Sequence, residues 1–395
     1  MGIIDKRANK RLSNIKAVFQ FERTEYGVLN ISNGGLLISC PEGFDSGVIE
    51  RLEEREFDFK LIDAISKSEM YLKGKGIRFE KDDDQIKVVS IGISFDKYPK
   101  QRRYARTIAI GGGKGGVGKT ILSTNLALSL AQTNSRSVVV FDGDFGNANC
   151  HTLLGITKVE KSLEDYFSEN LPLSAIIQPT AYSNVRLVSG ASNKIDGFSE
   201  QPQKRRKLFE EIRNIDCDYV LIDLGAGVGN ETLDLYNFSD EKLVVVMPQF
   251  TSLENAYTFI KSAFILDLKS RKNLAAIYEE NGYDLEALRD AVKKTPDDDE
   301  VRLEYDRLIS SQSFRVIANY LTEEKDFVIV SNLQKIVKEY LDLDSSLGGR
   351  LSASKEVKSS VNKLTPFVAL NADSSNSKEL LVLAHKLDTE WRTRN

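Results

Sequence analysis

Long apolar runs are missing from this chain of 395 residues. No window approaches the roughly 18 to 20 consecutive apolar residues of a membrane span. The opening MGIIDKRANKR turns basic at once instead of running into a signal-peptide core, so a cytoplasmic protein is expected. Cysteine is equally scarce: Cys40, Cys150 and Cys217 are odd in number and form no C-x-x-C pair, which argues against a disulfide framework or a thiolate metal site. Reduced, buried thiols are the simplest expectation. The two histidines, His151 and His385, stand too far apart in sequence for a zinc motif. Neither sign of charge dominates, and a net charge of -4 gives no global pull toward nucleic acid.

With 41% hydrophobic and 28% charged residues, the chain has the composition of an ordinary globular protein, and its length predicts two domains or more. From Lys16 to about Phe95, short β segments separated by turns (KAVFQF, GVLNIS, GLLIS, FDFKLI, YLKGKGIRFE, QIKVVSIGISF) predict a small β-barrel or sandwich over residues 1–98. The polar, basic run DKYPKQRRYAR, Asp96 to Arg106, broken by Pro99, reads as a linker, with residues 99–106 as its bounds. Beyond it, unbroken apolar runs alternate with helical stretches: TIAI, SVVVFD, VRLVSG, DYVLID, KLVVVMP, FVIVSN and PFVAL. Such runs are what parallel strands covered on both faces require, so residues 107–395 are expected to form a doubly wound, mostly parallel α/β domain. The charge-dense text of about 270–325 predicts a helical insertion on that core.

The stretch AIGGGKGGVGKT carries the chemistry. Gly113, Gly118, Lys119 and Thr120 satisfy G-x-x-x-x-G-K-[ST] between a buried strand and a helix. There, backbone N–H groups and the helix N-terminus face the phosphates of a nucleotide. The loop Gly113, Lys114, Gly115, Gly116, Val117, Gly118, Lys119 and Thr120 thus predicts an ATP site, with Lys119 reaching the β and γ phosphates and the Thr120 hydroxyl holding Mg²⁺. Two further strands end in acids, at Asp142 and Asp144 and at Asp223. In a parallel sheet these converge on the loop, so Asp223 is expected to support the metal through a water, and of Asp142 and Asp144 one is expected to support the metal while the other orients the attacking water. Lys114 is one lysine more than the loop needs. A second cation gains little from charge that Lys119 and Mg²⁺ already neutralise, unless it serves a nucleotide its own subunit does not hold.

These residues carry a resemblance. KGGVGKT resembles the deviant P-loop of the MinD/ParA ATPases, whose mark is the early lysine, matched by Lys114. DGDFGNANCHTLLG resembles the family's second motif, above all its flagellar-number branch, with Asp144 in the water-positioning place and Asn149 in the asparagine place. DYVLIDLGAGVGNET is similar to the Walker B and switch II segment, which makes Asp223 and the Gly225/Gly227 turn sensors of the γ-phosphate. The resemblance implies a P-loop NTPase sheet, Mg²⁺-dependent ATP hydrolysis with Lys114, Lys119, Asp144 and Asp223 as catalytic residues, and an ATP-bound sandwich homodimer into whose partner site Lys114 reaches. It also implies an asparagine after a late strand that reads adenine, for which FVIVSN offers Asn332.

Residues 1–98 resemble a PilZ domain: Arg7 and Arg11 in RANKR fit R-x-x-x-R, and NISNGG fits [DN]-x-S-x-x-G. The resemblance implies a cyclic di-GMP site. Arginine forks suit phosphates and guanine faces, Asn30 and Ser32 add hydrogen bonds, Gly35 allows backbone contact, and Lys6 bears on how many ligand molecules bind.

The C-terminal Leu380, Leu383, Leu387 and Trp391 share one helical face; packing on the sheet is expected in preference to a peripheral membrane helix. The basic linker reads as a solvated hinge in preference to a DNA contact. The whole is read as a cyclic-di-GMP-responsive ATPase switch, and the resemblance alone implies its output, the positioning of a cellular machine such as flagella, pili or a gliding apparatus. The alternatives are a DNA-partitioning ATPase, which needs a basic dimer face, and a non-enzymatic scaffold with nucleotide-dependent dimerisation.

Overall fold

The computed structural model describes six strand backbones between residues 17 and 94 and then residues 104–190, 202–296 and 299–394. Close contacts divide the chain into two units, Met1–Arg103 and Tyr104–Asn395. In the first, β1 (Ala17–Phe21), β2 (Thr24–Ser32), β3 (Gly35–Phe44), β4 (Glu56–Asp63), β5 (Glu69–Lys81) and β6 (Val88–Ser94) pair in the order β1-β2-β3-β6-β5-β4 and close into a barrel. Arg7 and Arg11, with Lys6, lie outside the described residues. Asn30, Ser32 and Gly35 fall on strand backbone, with Ser32 opposite Gly35 where β2 turns into β3.

The second unit is an eight-stranded sheet. Its strands are β7 (Arg106–Gly111), β8 (Val138–Gly143), β9 (Ile177–Pro179), β10 (Val185–Val188), β11 (Tyr219–Leu224), β12 (Glu241–Val246), β13 (Phe314–Leu321) and β14 (Ser345–Ser352). They run in the order β14-β13-β12-β7-β11-β8-β10-β9, and every pair is parallel except β9 with β10. Alternate residues of one strand feed opposite cores: Ala109, Val139 and Ile222 join one cluster, and Ile108, Val138 and Leu221 the other. This period of two is why the runs had to be apolar throughout. Helix Lys119–Asn134 and the C-terminal helix Ser375–Arg394 cover the second face, where Leu380, Leu383 and Leu387 are buried as expected. At the other end of β7, Glu241 accepts from Arg106 and Arg315, each at 2.6 Å, and Arg106 donates to the Leu387 carbonyl. Buried ion pairs of this kind hold their groups in one arrangement, and through the Leu387 carbonyl this clamp ties the last helix to the start of β7.

Three expectations are corrected. The run Phe327–Asn332 is not a strand: it lies inside helix Glu324–Leu341, where Val330, Leu333, Val337 and Leu341 recur at helical spacing and are buried. Phe367–Leu370 likewise forms a short helix. The charge-dense stretch is helical over Lys272–Glu280, Leu285–Lys293 and Glu300–Ser311, but Phe314–Leu321 then re-enters the sheet as β13. The outer strand β14 escapes notice in the sequence because its centre is Gly348-Gly349; a Cβ on Gly348 would stand 2.7 Å from Ile317.

Candidate functional site

β7 ends at Gly111, and the loop that follows turns through left-handed Gly113 (φ 67°), Gly116 (φ 80°) and Gly118 (φ 97°) before the helix starts at Lys119. These angles favour glycine on conformation alone, and Gly113 also has no room: an added Cβ would lie 2.3 Å from the Asn255 carbonyl oxygen.

Two lysines leave this loop in different directions. Lys119 is buried, and its Nζ donates to the Lys114 carbonyl at 3.0 Å. Burial lowers its pKa, opposed by the carboxylates of Asp223 and Asp144. Lys114 is exposed, its Nζ donating to the Thr251 hydroxyl at 3.2 Å.

The acids stand where the sheet register puts them. Asp223 of β11 is the Cα partner of Asp142 of β8, so adjacent parallel strands deliver both residues level with the loop. Asp223 accepts from Ser123 Oγ at 2.8 Å and from the Cys150 thiol at 3.3 Å, and the Thr120 hydroxyl also donates to it. Burial still pushes its carboxyl up. Asp142 is fully buried and accepts the backbone N–H of Asp144 on one oxygen (3.2 Å) and that of Cys150 on the other (3.0 Å). Desolvation, with the Asp223 charge beside it, raises its pKa to about 7. Its oxygens shape the turn that carries Asp144. Asp144 itself is half-buried, and Gly225 has no side chain where the Asp144 carboxylate passes, 3.1 Å from the position a Cβ would take. Asn149 is exposed, donating to the Asn147 carbonyl at 2.7 Å. The Gly227 N–H donates to the Gly113 carbonyl at 2.8 Å, which ties the segment after β11 to the loop.

A hard divalent cation suits this donor set. Asp223 and Thr120 offer oxygens beside the loop, and the local carboxylates outnumber the one buried ammonium. The Cys150 thiol, raised far above its usual range by burial and both carboxylates, stays protonated and serves as a donor to Asp223.

Residues 105–276 match the family described as AAA domain. In three dimensions the chain is similar to the septum site-determining protein MinD of Pyrococcus horikoshii OT3 complexed with Mg-ADP: TM-score 0.51, 20% identity, 72% of this chain and 96% of that one covered. The α/β unit has a MinD-like P-loop NTPase fold. The cell division ATPase MinD of Pyrococcus furiosus superposes equally well, with a TM-score of 0.51 at 19% identity over 72% of this chain and 99% of that one. Among curated proteins, 158 residues are 35% identical to the antiactivator FleN of Pseudomonas aeruginosa, covering 40% of this chain and 55% of that relative. A stretch of 164 residues is 33% identical to the flagellum site-determining protein YlxH of Helicobacter pylori, covering 39% and 52%. The chain thus spans about half the length of these curated relatives, and the similarity is confined to that part.

In the MinD-like unit, a cavity of about 620 Å³ opens beside the loop, with Gly116 and Gly118 in its wall and Leu122, Met247, Leu351 and Phe367 among its lining. Asn332, the expected base reader, is exposed on its helix and does not line this cavity. Asn319 lines it instead, from the end of β13, and donates to the Val117 carbonyl at 2.7 Å. The sequence held the signal, since VIAN is also an apolar run closed by asparagine; its charge-dense neighbours hid it. Thr251 and Cys150 had no sequence signal, because their partners Lys114 and Asp223 lie far off in the chain.

Among the described residues, no helix is long and apolar enough to cross a membrane.

Proposed function

We propose that this chain is an Mg²⁺-dependent ATP hydrolase of the MinD/ParA type that pairs as a sandwich homodimer when ATP is bound and positions or regulates a cellular machine. The observation that carries the reading is the separation of the two lysines. Lys119 is buried over Asp223 and Asp144, and Lys114 points outward from the same loop. Mg²⁺, held by Thr120 and Asp223, supplies charge neutralisation on the terminal phosphates. Within one protomer, the loop amides and Lys119 bind the triphosphate, Asp144 orients the attacking water and accepts its proton, and Gly225 and Gly227 follow the γ-phosphate. Lys114 leaves Thr251 and serves the partner's nucleotide, adding a stabilising cation where transition-state charge develops. The names of the relatives, flagellum and septum site-determining proteins, support a positioning role.

The barrel unit is proposed as a cyclic di-GMP sensor through Arg7, Arg11, Asn30, Ser32 and Gly35. It biases the ATPase cycle only to the extent that the ligand binds one state better than the other. Mass and ATP turnover, measured with and without cyclic di-GMP on the wild type and on Asp144→Ala, test both parts. A strictly monomeric ATP-bound Asp144→Ala overturns the dimer, and a wild type indifferent to cyclic di-GMP overturns the sensor.

A further inference from the structure

Tyr320 is a bulky residue held at φ 61°, in the left-handed region that side chains of its size avoid. It follows Asn319 at the end of β13, lines the cavity beside the phosphate loop, and is 56% exposed. The turn is wired to the loop: the Tyr320 N–H donates to Asn319 Oδ1 at 2.9 Å, and Asn319 Nδ2 donates to the Val117 carbonyl at 2.7 Å. Gly118 is where this junction closes, since an added Cβ would meet Asn319 Nδ2 at 2.4 Å. Backbone strain persists where the surrounding structure enforces it, and such positions gather at ligand sites. Here the strain aims an exposed aromatic residue at a cavity with Leu351, Val357 and Phe367 on its lining, continuous with the loop that would hold phosphates.

We propose that the Tyr320 ring stacks on the base of a nucleotide whose phosphates occupy the loop, forming one face of a slot across from the wall of Leu351, Val357 and Phe367. The proposal rests on the nucleotide-binding reading given above. One Asn319 N–H goes to the loop and its oxygen takes the Tyr320 N–H, so Asn319 is also a strut that sets Tyr320 over the slot. Base–aromatic stacking is worth enough to change affinity by about tenfold or more.

The experiment compares the full chain with Tyr320→Gly and Tyr320→Phe, titrated calorimetrically with Mg²⁺-ATP and, separately, with inorganic triphosphate, which has no base. Tyr320→Gly removes the ring and relieves the φ, so it is expected to melt no lower than wild type. Its ATP affinity is expected to fall by about tenfold with triphosphate binding unchanged, and Tyr320→Phe keeps wild-type affinity for both. A Tyr320→Gly variant that binds ATP like the wild type overturns the stacking role. Equal losses for ATP and triphosphate overturn it as well, because the residue would then be shaping the loop. A wild type that binds neither probe, with Lys119→Ala indistinguishable from it, overturns the phosphate-site reading and this proposal together.

Discussion

Lys119 and Lys114 sit five residues apart on one loop, and the ammonium of the first rests on the backbone carbonyl of the second at 3.0 Å. The side chain of Lys114 is thereby left outside, on Thr251. One loop thus presents one cation inward and one outward, and the two should fail differently when removed. Lys119→Ala is expected to weaken ATP binding by at least tenfold and to abolish turnover, since it deletes the phosphate cation of its own site. Lys114→Ala should bind ATP nearly as the wild type does yet lose about 100-fold or more in turnover, the scale of removing one preorganised charge stabiliser. Equilibrium nucleotide binding beside steady-state hydrolysis separates them. A catalytically normal Lys114→Ala would remove the role in trans.

Asp144 approaches Gly225 so closely that the glycine has no room to spare, which places the carboxylate between the loop after β8 and the segment after β11. Asp144→Ala is expected to leave ATP affinity within about threefold and to cut turnover by about 100-fold or more, on the scale of general-base contributions. The ATP-bound species should then persist long enough to be weighed by light scattering.

The glycines of the loop are not equivalent. Gly116 is left-handed with nothing within 4 Å of an added Cβ, so Gly116→Ala should cost only the conformational penalty, about 1 kcal/mol. Gly113→Ala adds a collision with the Asn255 carbonyl oxygen and should lower the melting temperature clearly further. Equal melting shifts in the two variants would show that helix Phe250–Ser270 yields freely at that contact.

Lys242 is buried in β12, and desolvation lowers its pKa to about 8 despite the nearby Asp267, Asp240 and Glu241. The unfolded chain holds this proton up to about pH 10.4. Between about 8 and 10.4 the unfolded state therefore binds more protons than the folded one, and stability gained through this group rises with pH. Below pH 8 both states are protonated and the cost of burying the charge is present in full. Neutral Lys242 can still donate to the Ser239 and Ser311 carbonyls. Wild type should thus gain about 2 kcal/mol on Lys242→Met between pH 7.5 and 10, read from denaturant unfolding at each pH. A constant difference across that range would show that the lysine does not lose its proton.

Much of the site was legible because its parts are contiguous. The loop from Gly113 to Thr120, Asp142 with Asp144, and Asp223 each close an apolar run, and a parallel sheet delivers strand ends to one edge. What misled was the pair of runs VIAN and FVIVSN. Both are apolar and both end in asparagine, yet the first is β13 and the second is helix. Periodicity does not separate short apolar runs; the sheet position next to β12 does, and β13 fills it. PFVAL failed for the same reason, and β14 because glycines replaced the apolar residues that mark a strand.

By itself the sequence determined the alternation of buried strands and helices, the phosphate loop with its additional lysine, and the acids that face it. All of these are local patterns whose physics is complete within a dozen residues. Only the tertiary structure decided that Lys114 rests on Thr251, that Cys150 donates to Asp223, that Asn319 and not Asn332 braces the loop, and that Tyr320 is turned toward the cavity. Each of those depends on which distant strand or helix arrives beside the loop, and that is set by the packing of two cores on one sheet.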